Sequence, residues 1–306
     1  MSFLIGRMME KAFAFRGDGF PQLTYFTGED FGAKTSSFSF LSGKNRLYGE
    51  RYFYGPGPYK AVIVFFHGIG AGHRSYSQEI SALAKEGYLV YAYDNTGSMM
   101  SEGKSLINLA QSALDQKAFF AFLDDEQLAQ GLPRYCCGHS WGGYAALLSL
   151  LPEYQVAKTV SMAGFLTVPS ILEYNAPILK KFKGATKAYL KRKFGALGTM
   201  DLVEIVNQTK AKVLYIQGDA DKTCPNAICF DRLKSEVRNP NLKLMLVPSR
   251  GHQPYWTVES GKYYEEVFSK RKMASRNRDL GFEIDYARLN EDDPKVMKAI
   301  IDFFAE

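Results

Sequence analysis

Short apolar runs recur along this chain, and each is followed by a polar or glycine-rich turn and then by a helical pattern. The runs show little alternation of apolar and polar residues, which is typical of strands buried on both faces of a parallel sheet. Strands that alternate with helices in this way predict an α/β fold, with a mostly parallel sheet covered by helices on both faces. The predicted strands are 61–66, 89–93, 135–137, 158–162, 213–216 and 242–247.

The rest of the pattern predicts a hairpin ahead of these strands and several amphipathic helices. Apolar runs at 38–40 and 47–54, separated by a turn at 42–45, predict two antiparallel strands. Near the end, Asp293 followed by Pro294 is typical of a helix N-terminus, because proline is favoured at the first helical position. Two other helices are predicted by Ile80, Leu83 and Ala84, and by Leu106, Leu109, Ala110, Ala113 and Leu114.

From residue 165 to residue 208 the alternation stops. No strand is convincing there, and helical patterns continue past Pro169, Pro177 and Gly184. We therefore expect a helical insertion between two strands of the sheet. A chain of 306 residues is long enough for one large domain, and we expect a single domain over residues 1–306 with 165–208 inserted in it.

Composition and cysteine usage are those of a globular protein, with 46% apolar and 23% charged residues. The longest apolar run, Ala61–Phe66, is far shorter than the roughly 18 residues that a membrane-spanning helix needs, so we expect no membrane span. The first residues lack the apolar stretch of about 7–15 residues that an export signal needs. No C-x-x-C pair occurs among Cys136, Cys137, Cys224 and Cys229, which favours buried thiols in a reducing cytoplasm over a metal site.

The net charge of +6 is mild, but basic residues cluster in two places. In the insertion, an apolar helix face would lie opposite lysines, which indicates either a solvated face or contact with a lipid surface or an acidic substrate. The second cluster has no aromatic residues between Phe268 and Phe282 for base stacking, so we expect no nucleic-acid partner. The apolar face is Ile178, Phe182, Ala185 and Tyr189; the clusters are Lys180, Lys181, Lys183, Lys187, Lys191, Arg192 and Lys193, then Lys270, Arg271, Lys272, Arg276 and Arg278.

The strongest chemical motif is Gly138-His139-Ser140-Trp141-Gly142, which has the pattern G-x-S-x-G. It follows a predicted strand and precedes an apolar helical stretch at 144–151. A serine on such a sharp turn must approach other backbone closely, and the flanking glycines permit this. The N-terminus of the following helix favours negative charge beside the serine. The alternative is an ordinary tight turn, but the strand–turn–helix context favours a nucleophile.

In their order along the chain, this motif and three others resemble those of the α/β-hydrolase-fold serine hydrolases. The resemblance extends from about residue 48 to the end of the chain. It implies an α/β-hydrolase fold in which the 165–208 insertion is a helical cap. The three other motifs are His67-Gly68-Ile69-Gly70, similar to the oxyanion loop, Gly218-Asp219-Ala220-Asp221, similar to the acid loop, and Gly251-His252, at the position of the base.

Catalysis by a serine needs an imidazole to accept its proton and a carboxylate to orient that imidazole. Of the four histidines, His252 lies on a distant loop at the carboxyl end of a predicted strand, where α/β sheets place their sites. For the carboxylate, Asp219 and Asp221 are both candidates, and similarity to the family's G-x-x-D pattern favours Asp221. The predicted triad is therefore Ser140, Asp221 and His252.

The resemblance also implies an oxyanion hole formed by the backbone N–H groups of Ile69 and Trp141. No metal ion or organic cofactor is required for this chemistry. We expect a serine hydrolase that cleaves a small-molecule carboxylic ester through an acyl-enzyme. Thioesterase, lipase or lysophospholipase and peptidase activities stay open as alternatives, as does a non-catalytic ligand-binding member of the fold.

Overall fold

The sheet of this protein contains eight strands in the order β1-β2-β4-β3-β5-β6-β7-β8. A computed structural model describes residues 2–273 and 282–306. From β4 to β8 across the sheet every neighbouring pair is parallel, whereas β2 pairs antiparallel with both β1 and β4. The strands are β1 Lys34–Ser42, β2 Asn45–Phe53, β3 Val62–Phe66, β4 Leu89–Tyr93, β5 Arg134–His139, β6 Val156–Met162, β7 Lys212–Gly218 and β8 Leu242–Val247.

Helices cover the sheet, and their bounds confirm the predicted alternation. The central strands β3 and β4 are buried along their whole length, as expected for a layer between two sets of helices. Separate apolar clusters pack on the sheet, one containing Ile80 and Phe304 and another containing Tyr144 and Val213. The helices are α1 Ser2–Ala12, α2 Ser77–Lys85, α3 Gln111–Asp125, α4 Trp141–Leu148, α5 Val168–Asn175, α6 Lys183–Phe194, α7 Leu202–Gln208, α8 Phe230–Glu236, α9 Val258–Met273, α10 Tyr286–Leu289 and α11 Pro294–Ala305.

The predicted helix at residues 106–114 is wrong in its first half. The structure has α3 beginning at Gln111. Ile107 has a φ of +65°, in the left-handed region that interrupts a right-handed helix. The carbonyl of Leu109 accepts hydrogen bonds from the indole of Trp141 at 2.7 Å and from the hydroxyl of Ser112 at 3.1 Å. The apolar residues before α3 therefore lie in a loop, where they are buried without forming a helix.

The first insertion, residues 165–208, contains α5, α6 and α7 between β6 and β7. Three residues of its predicted apolar face do pack on the core: Tyr189 is buried, and Phe182 and Ala185 are partly buried against the same cluster. The prediction is wrong at Ile178, because residues 177–182 form a 3-10 segment that ends where α6 begins. The change of helix type shifts the register, so Ile178 is exposed. The buried residues of α6 are Thr186, Tyr189, Leu190 and Phe194.

The N-terminal helix α1, which the sequence pattern did not predict, packs against α6. A Cβ on Gly6 would lie 2.7 Å from the ring of Tyr189, and Lys193 pairs with Glu10 at 3.0 Å. After α1, residues 17–26 form a segment that we name the N-terminal strap. It is held to the body of the protein at Gly17, whose N–H donates to Gly97 (2.8 Å), and at Gly19, whose N–H donates to Gly70 (2.8 Å).

The second insertion, residues 253–293, lies between β8 and α11 and contains α9 and α10. Of the second predicted basic cluster, Arg276 and Arg278 lie outside the described residues. In the part of the chain that the structure describes, no helix has the length and apolar character needed to cross a membrane.

Candidate active site

Ser140 lies on a strained turn between β5 and α4. Its φ of +59° and ψ of −116° place a non-glycine residue in a region that ordinary side chains avoid. Glycines are required on either side, because a Cβ on Gly142 would collide with the carbonyl of Phe66 and a Cβ on Gly138 with that of Gly142. The packing of β5 and α4 against β3 thus holds the Ser140 hydroxyl at the carboxyl edge of the sheet.

The structure brings the three predicted catalytic side chains together from three strand ends. Nε2 of His252, after β8, lies 2.7 Å from Oγ of Ser140, and its Nδ1 lies 2.9 Å from Oδ2 of Asp221, after β7. Because the Nδ1–H group of His252 donates a hydrogen bond to Asp221, the lone pair on Nε2 faces the serine hydroxyl. This tautomer is the one that can remove the serine proton.

Asp221 is held in place as a charged carboxylate. Its Oδ1 accepts hydrogen bonds from the backbone N–H groups of Thr223 (2.8 Å) and Cys224 (2.9 Å), and Oδ2 accepts one from Gln217 (2.8 Å). Burial acts to raise the pKa of Asp221, but hydrogen bonds from His252 and these amides lower it overall. Asp219 is exposed, and its side chain accepts a hydrogen bond from the N–H of Arg250 at 3.3 Å. The structure therefore places Asp221, and not Asp219, beside His252.

The two predicted oxyanion-hole residues come from the first turn of α4 and from the loop after β3. Trp141 is the first residue of α4, so its N–H belongs to the first turn, whose N–H groups have no acceptor within the helix. Ile69 follows β3, and its side chain is 43% exposed at the cavity wall. The preceding residue, Gly68, donates its N–H to the hydroxyl of Tyr76 at 3.1 Å, which fixes the loop.

His139 connects this loop to His252, a role that the sequence did not predict. Its Nε2 lies 2.7 Å from the carbonyl oxygen of His252, which can only accept, so Nε2 carries the proton. Its Nδ1 then accepts from the hydroxyl of Tyr76 at 2.9 Å. Burial, together with the neighbouring His252, lowers the pKa of His139 to about 3. A neutral His139 thus links Gly68, Tyr76 and the His252 backbone.

A cluster of ionic side chains also holds the loop at residues 68–76, to which His73 and Arg74 belong. His73 lies between Asp94 (Nδ1 to Oδ1, 2.8 Å) and Glu50 (Nε2 to Oε2, 3.1 Å), and Arg74 donates to both oxygens of Glu50 at 2.5 and 3.3 Å. Burial alone would lower the pKa of His73, but the two carboxylates raise it to about 9. Burial would raise the pKa of Glu50, but its partners lower it to about 2. Two cations and two anions therefore neutralise one another.

A cavity of about 350 Å³ opens beside Ser140 and His252. Its walls are the loop at residues 68–76, the N-terminal strap and the second insertion. None of the described residues that line it belongs to the first insertion, so the predicted cap at residues 165–208 does not contribute to this cavity. The sequence carried one indication that the second insertion forms part of this cavity wall: it is a long segment that directly follows His252.

Among the residues that the structure describes, no group of three or more His, Cys, Asp or Glu side chains is arranged to hold a metal ion. The four cysteines are buried and unpaired.

Comparisons with known proteins agree with this fold. The model of the family Hydrolase_4, described as serine aminopeptidase S33, matches residues 57–197, slightly less than half of the chain. An esterase from Pyrococcus furiosus has a similar structure, with a TM-score of 0.58 and 18% identity over 86% of this chain and 98% of its own. No curated protein matches the chain in sequence.

Two further solved structures are similar. A putative dipeptidyl aminopeptidase IV from Bacteroides ovatus has a TM-score of 0.59 and 16% identity over 89% of this chain and 36% of its own. The 2,6-dihydroxy-pseudo-oxynicotine hydrolase has a TM-score of 0.56 and 15% identity over 89% of this chain and 68% of its own. The fold is therefore the α/β-hydrolase fold, as the motifs predicted.

Proposed function

We propose that this protein is a serine hydrolase that cleaves carboxylic esters with an uncharged, apolar acyl group. The observation that carries the proposal is the hydrogen-bonded series from Ser140 through His252 to Asp221, at 2.7 and 2.9 Å, at the base of an open cavity. A ligand-binding protein would have no need for all three groups in this order.

The reaction would begin when Oγ of Ser140 attacks the ester carbonyl while Nε2 of His252 takes the serine proton. The carbonyl oxygen becomes an oxyanion, to which the N–H groups of Ile69 and Trp141 would donate; loss of one such donor costs about 2.7–4 kcal/mol. The C–O bond to the alcohol then breaks, and His252 gives its proton to the departing alkoxide. Water attacks the acyl-enzyme by the same route and releases the acid and Ser140.

Peptidase activity is the second candidate, since the matched family is described as serine aminopeptidase. An aminopeptidase needs a negative group to bind the ammonium of its substrate, and the described lining of the cavity includes no carboxylate. The single cationic side chain among these lining residues that is charged at all pH values, Arg74, is neutralised by Glu50. The lining therefore favours an ester whose acyl group is uncharged.

The buried, unpaired cysteines support a reducing compartment, and we propose the cytoplasm.

The test is hydrolysis of p-nitrophenyl esters from acetate to decanoate by the native protein and by Ser140→Ala. Turnover that the variant loses at least about 10³-fold is the expected result. If both proteins hydrolyse the esters equally, the activity does not come from Ser140 and the proposal fails. A dipeptide p-nitroanilide run beside the esters separates the peptidase alternative, which would be favoured if only the anilide were cleaved.

A further inference from the structure

The cavity beside Ser140 has a continuous wall of aromatic rings. From the far end, Phe20 of the N-terminal strap meets Phe268 edge-to-face at 5.3 Å, and Phe268 meets Tyr264 at 4.1 Å. Tyr264 meets Trp256 at 5.3 Å, and Trp256 meets Tyr255 at 5.8 Å. All five rings line the cavity, and the Tyr255 ring contacts the His139 ring at 5.1 Å. The wall therefore runs from the strap to the turn that carries the nucleophile.

These rings are held in position before any substrate arrives. On the strap, the N–H of Thr24 donates to the hydroxyl of Tyr286 at 2.7 Å, and the N–H of Phe20 donates to the hydroxyl of Tyr25 at 2.8 Å. The Phe26 ring meets the Tyr286 ring edge-to-face at 5.2 Å. Because strap and second insertion fix each other, the ring faces offer a preformed geometry, and a rigid site loses little entropy on binding.

We propose that the acyl pocket is selective for an aromatic acyl group: an uncharged arene joined to the carbonyl through a short linker. This inference rests on the proposed function for its reaction but on the ring wall for its specificity. Aromatic rings attract one another beyond the effect of buried area, through edge-to-face and offset-stacked contacts. A saturated ring or a linear chain of the same carbon count buries similar area without these contacts. Because Arg74 is neutralised by Glu50, it offers no free charge to a carboxylate on the acyl group.

The experiment compares p-nitrophenyl esters of 3-phenylpropanoate, 3-cyclohexylpropanoate and nonanoate, which share the leaving group and nine acyl carbons. We expect kcat/KM for the phenyl ester to exceed those of both others by about 10-fold, equivalent to about 1.4 kcal/mol. In Phe268→Leu the preference for phenyl over cyclohexyl falls several-fold, because one ring contact is lost and an apolar side chain is kept. Leu23→Ile, a change of a non-aromatic lining residue, keeps the preference.

Binding measurements separate this inference from the proposed function. The neutral amides 3-phenylpropanamide and 3-cyclohexylpropanamide are titrated calorimetrically into Ser140→Ala, which needs no turnover. Several-fold tighter binding of the phenyl amide supports the aromatic pocket even if no ester is hydrolysed. Serine-dependent hydrolysis with equal or reversed preference, or equal binding of the two amides, overturns the aromatic pocket and leaves the esterase proposal standing.

Discussion

The two insertions of this protein differ in where their helices lie. The first, residues 165–208, packs away from the cavity: Phe165 stacks on Tyr144 of α4 at 4.6 Å, and α6 packs on α1. The second, residues 253–293, begins beside His252 and supplies a cavity wall. The difference teaches that an insertion shapes a site through the partner that holds it, here the N-terminal strap, and not through its length or its helix content.

A charge placed in each insertion gives the largest expected difference. Tyr264→Asp puts a carboxylate into the ring wall, where it must lose water to let an apolar acyl group bind. We expect kcat/KM on an apolar ester to fall about 30-fold or more, which corresponds to about 2 kcal/mol. Ile178→Asp, at an exposed position of the first insertion, should change kcat/KM less than about twofold. Comparable losses in the two variants, with unchanged circular dichroism, would refute the assignment of the wall.

The hydrogen bonds that anchor the start of the second insertion should matter next. Tyr76→Phe keeps the ring but removes the hydroxyl that joins Gly68 to His139. The buried N–H of Gly68 and the Nδ1 of His139 then lose their hydrogen-bond partner, at a cost of about 1–3 kcal/mol. We expect kcat to fall about 10-fold with little change in KM. The matched control is Tyr93→Phe, since the buried Tyr93 hydroxyl has no hydrogen-bond partner among the described residues. Equal kcat values for the two variants would contradict the anchoring role.

A third difference concerns pH and stability at the end of the second insertion. Burial raises the pKa of Asp292 to about 7, and burial together with the charge of Asp292 raises that of Glu79 on α2. The folded state then binds more protons than the unfolded state above about pH 4, so stability decreases as pH rises from there through about 7.

We therefore expect Asp292→Asn to be stabilised relative to the native protein by on the order of 2 kcal/mol at pH 8, and by little or nothing at pH 4. Urea unfolding at both pH values measures this difference. Glu283→Gln, an exposed change in the same insertion, is the control and should not show it. A pH-independent difference between Asp292→Asn and the native protein would exclude a buried carboxyl with a raised pKa at this position.

The smallest effect is expected in the first insertion. Lys180, Lys187 and Lys191 are exposed, whereas Lys183 and Lys193 pair with Glu173 and Glu10. Changing the three exposed lysines to glutamine should leave hydrolysis of a water-soluble ester within about twofold, because a solvated helix face is remote from the cavity. Sedimentation with anionic liposomes tests the other interpretation. Liposome binding that weakens with salt and disappears in the triple variant would make this face a lipid contact.

Much of the fold could be predicted because several of its strands contain short, mostly apolar runs: the bounds of β4 and β8 agree with the prediction. The positions of Ser140, Asp221 and His252 also followed from local motifs at strand ends. What the sequence did not show depends on contacts between distant segments. The strap becomes part of the site only because Phe20 meets Phe268, and α1 is buried only on the narrow side that faces α6.

His139 shows the same limit within a motif. Its position beside Ser140 was evident, but its partners are a hydroxyl from the loop after β3 and a carbonyl from the loop after β8. Likewise, the apolar residues at 106–110 have a helical pattern but a left-handed residue at Ile107 prevents the helix. Periodicity predicts burial in such cases without predicting which element provides it.

The position of the ring wall has a consequence for how this chain is compared with its relatives. The family match, residues 57–197, includes Ser140 and the loop of Ile69, yet the strap and the second insertion both lie outside it. The similarity to this family therefore covers the motif around Ser140 but neither the strap nor the second insertion. Because Phe20 with Phe268 and Phe26 with Tyr286 join the two outer segments, transplanting the whole ring wall into another protein of this fold would require moving both segments together.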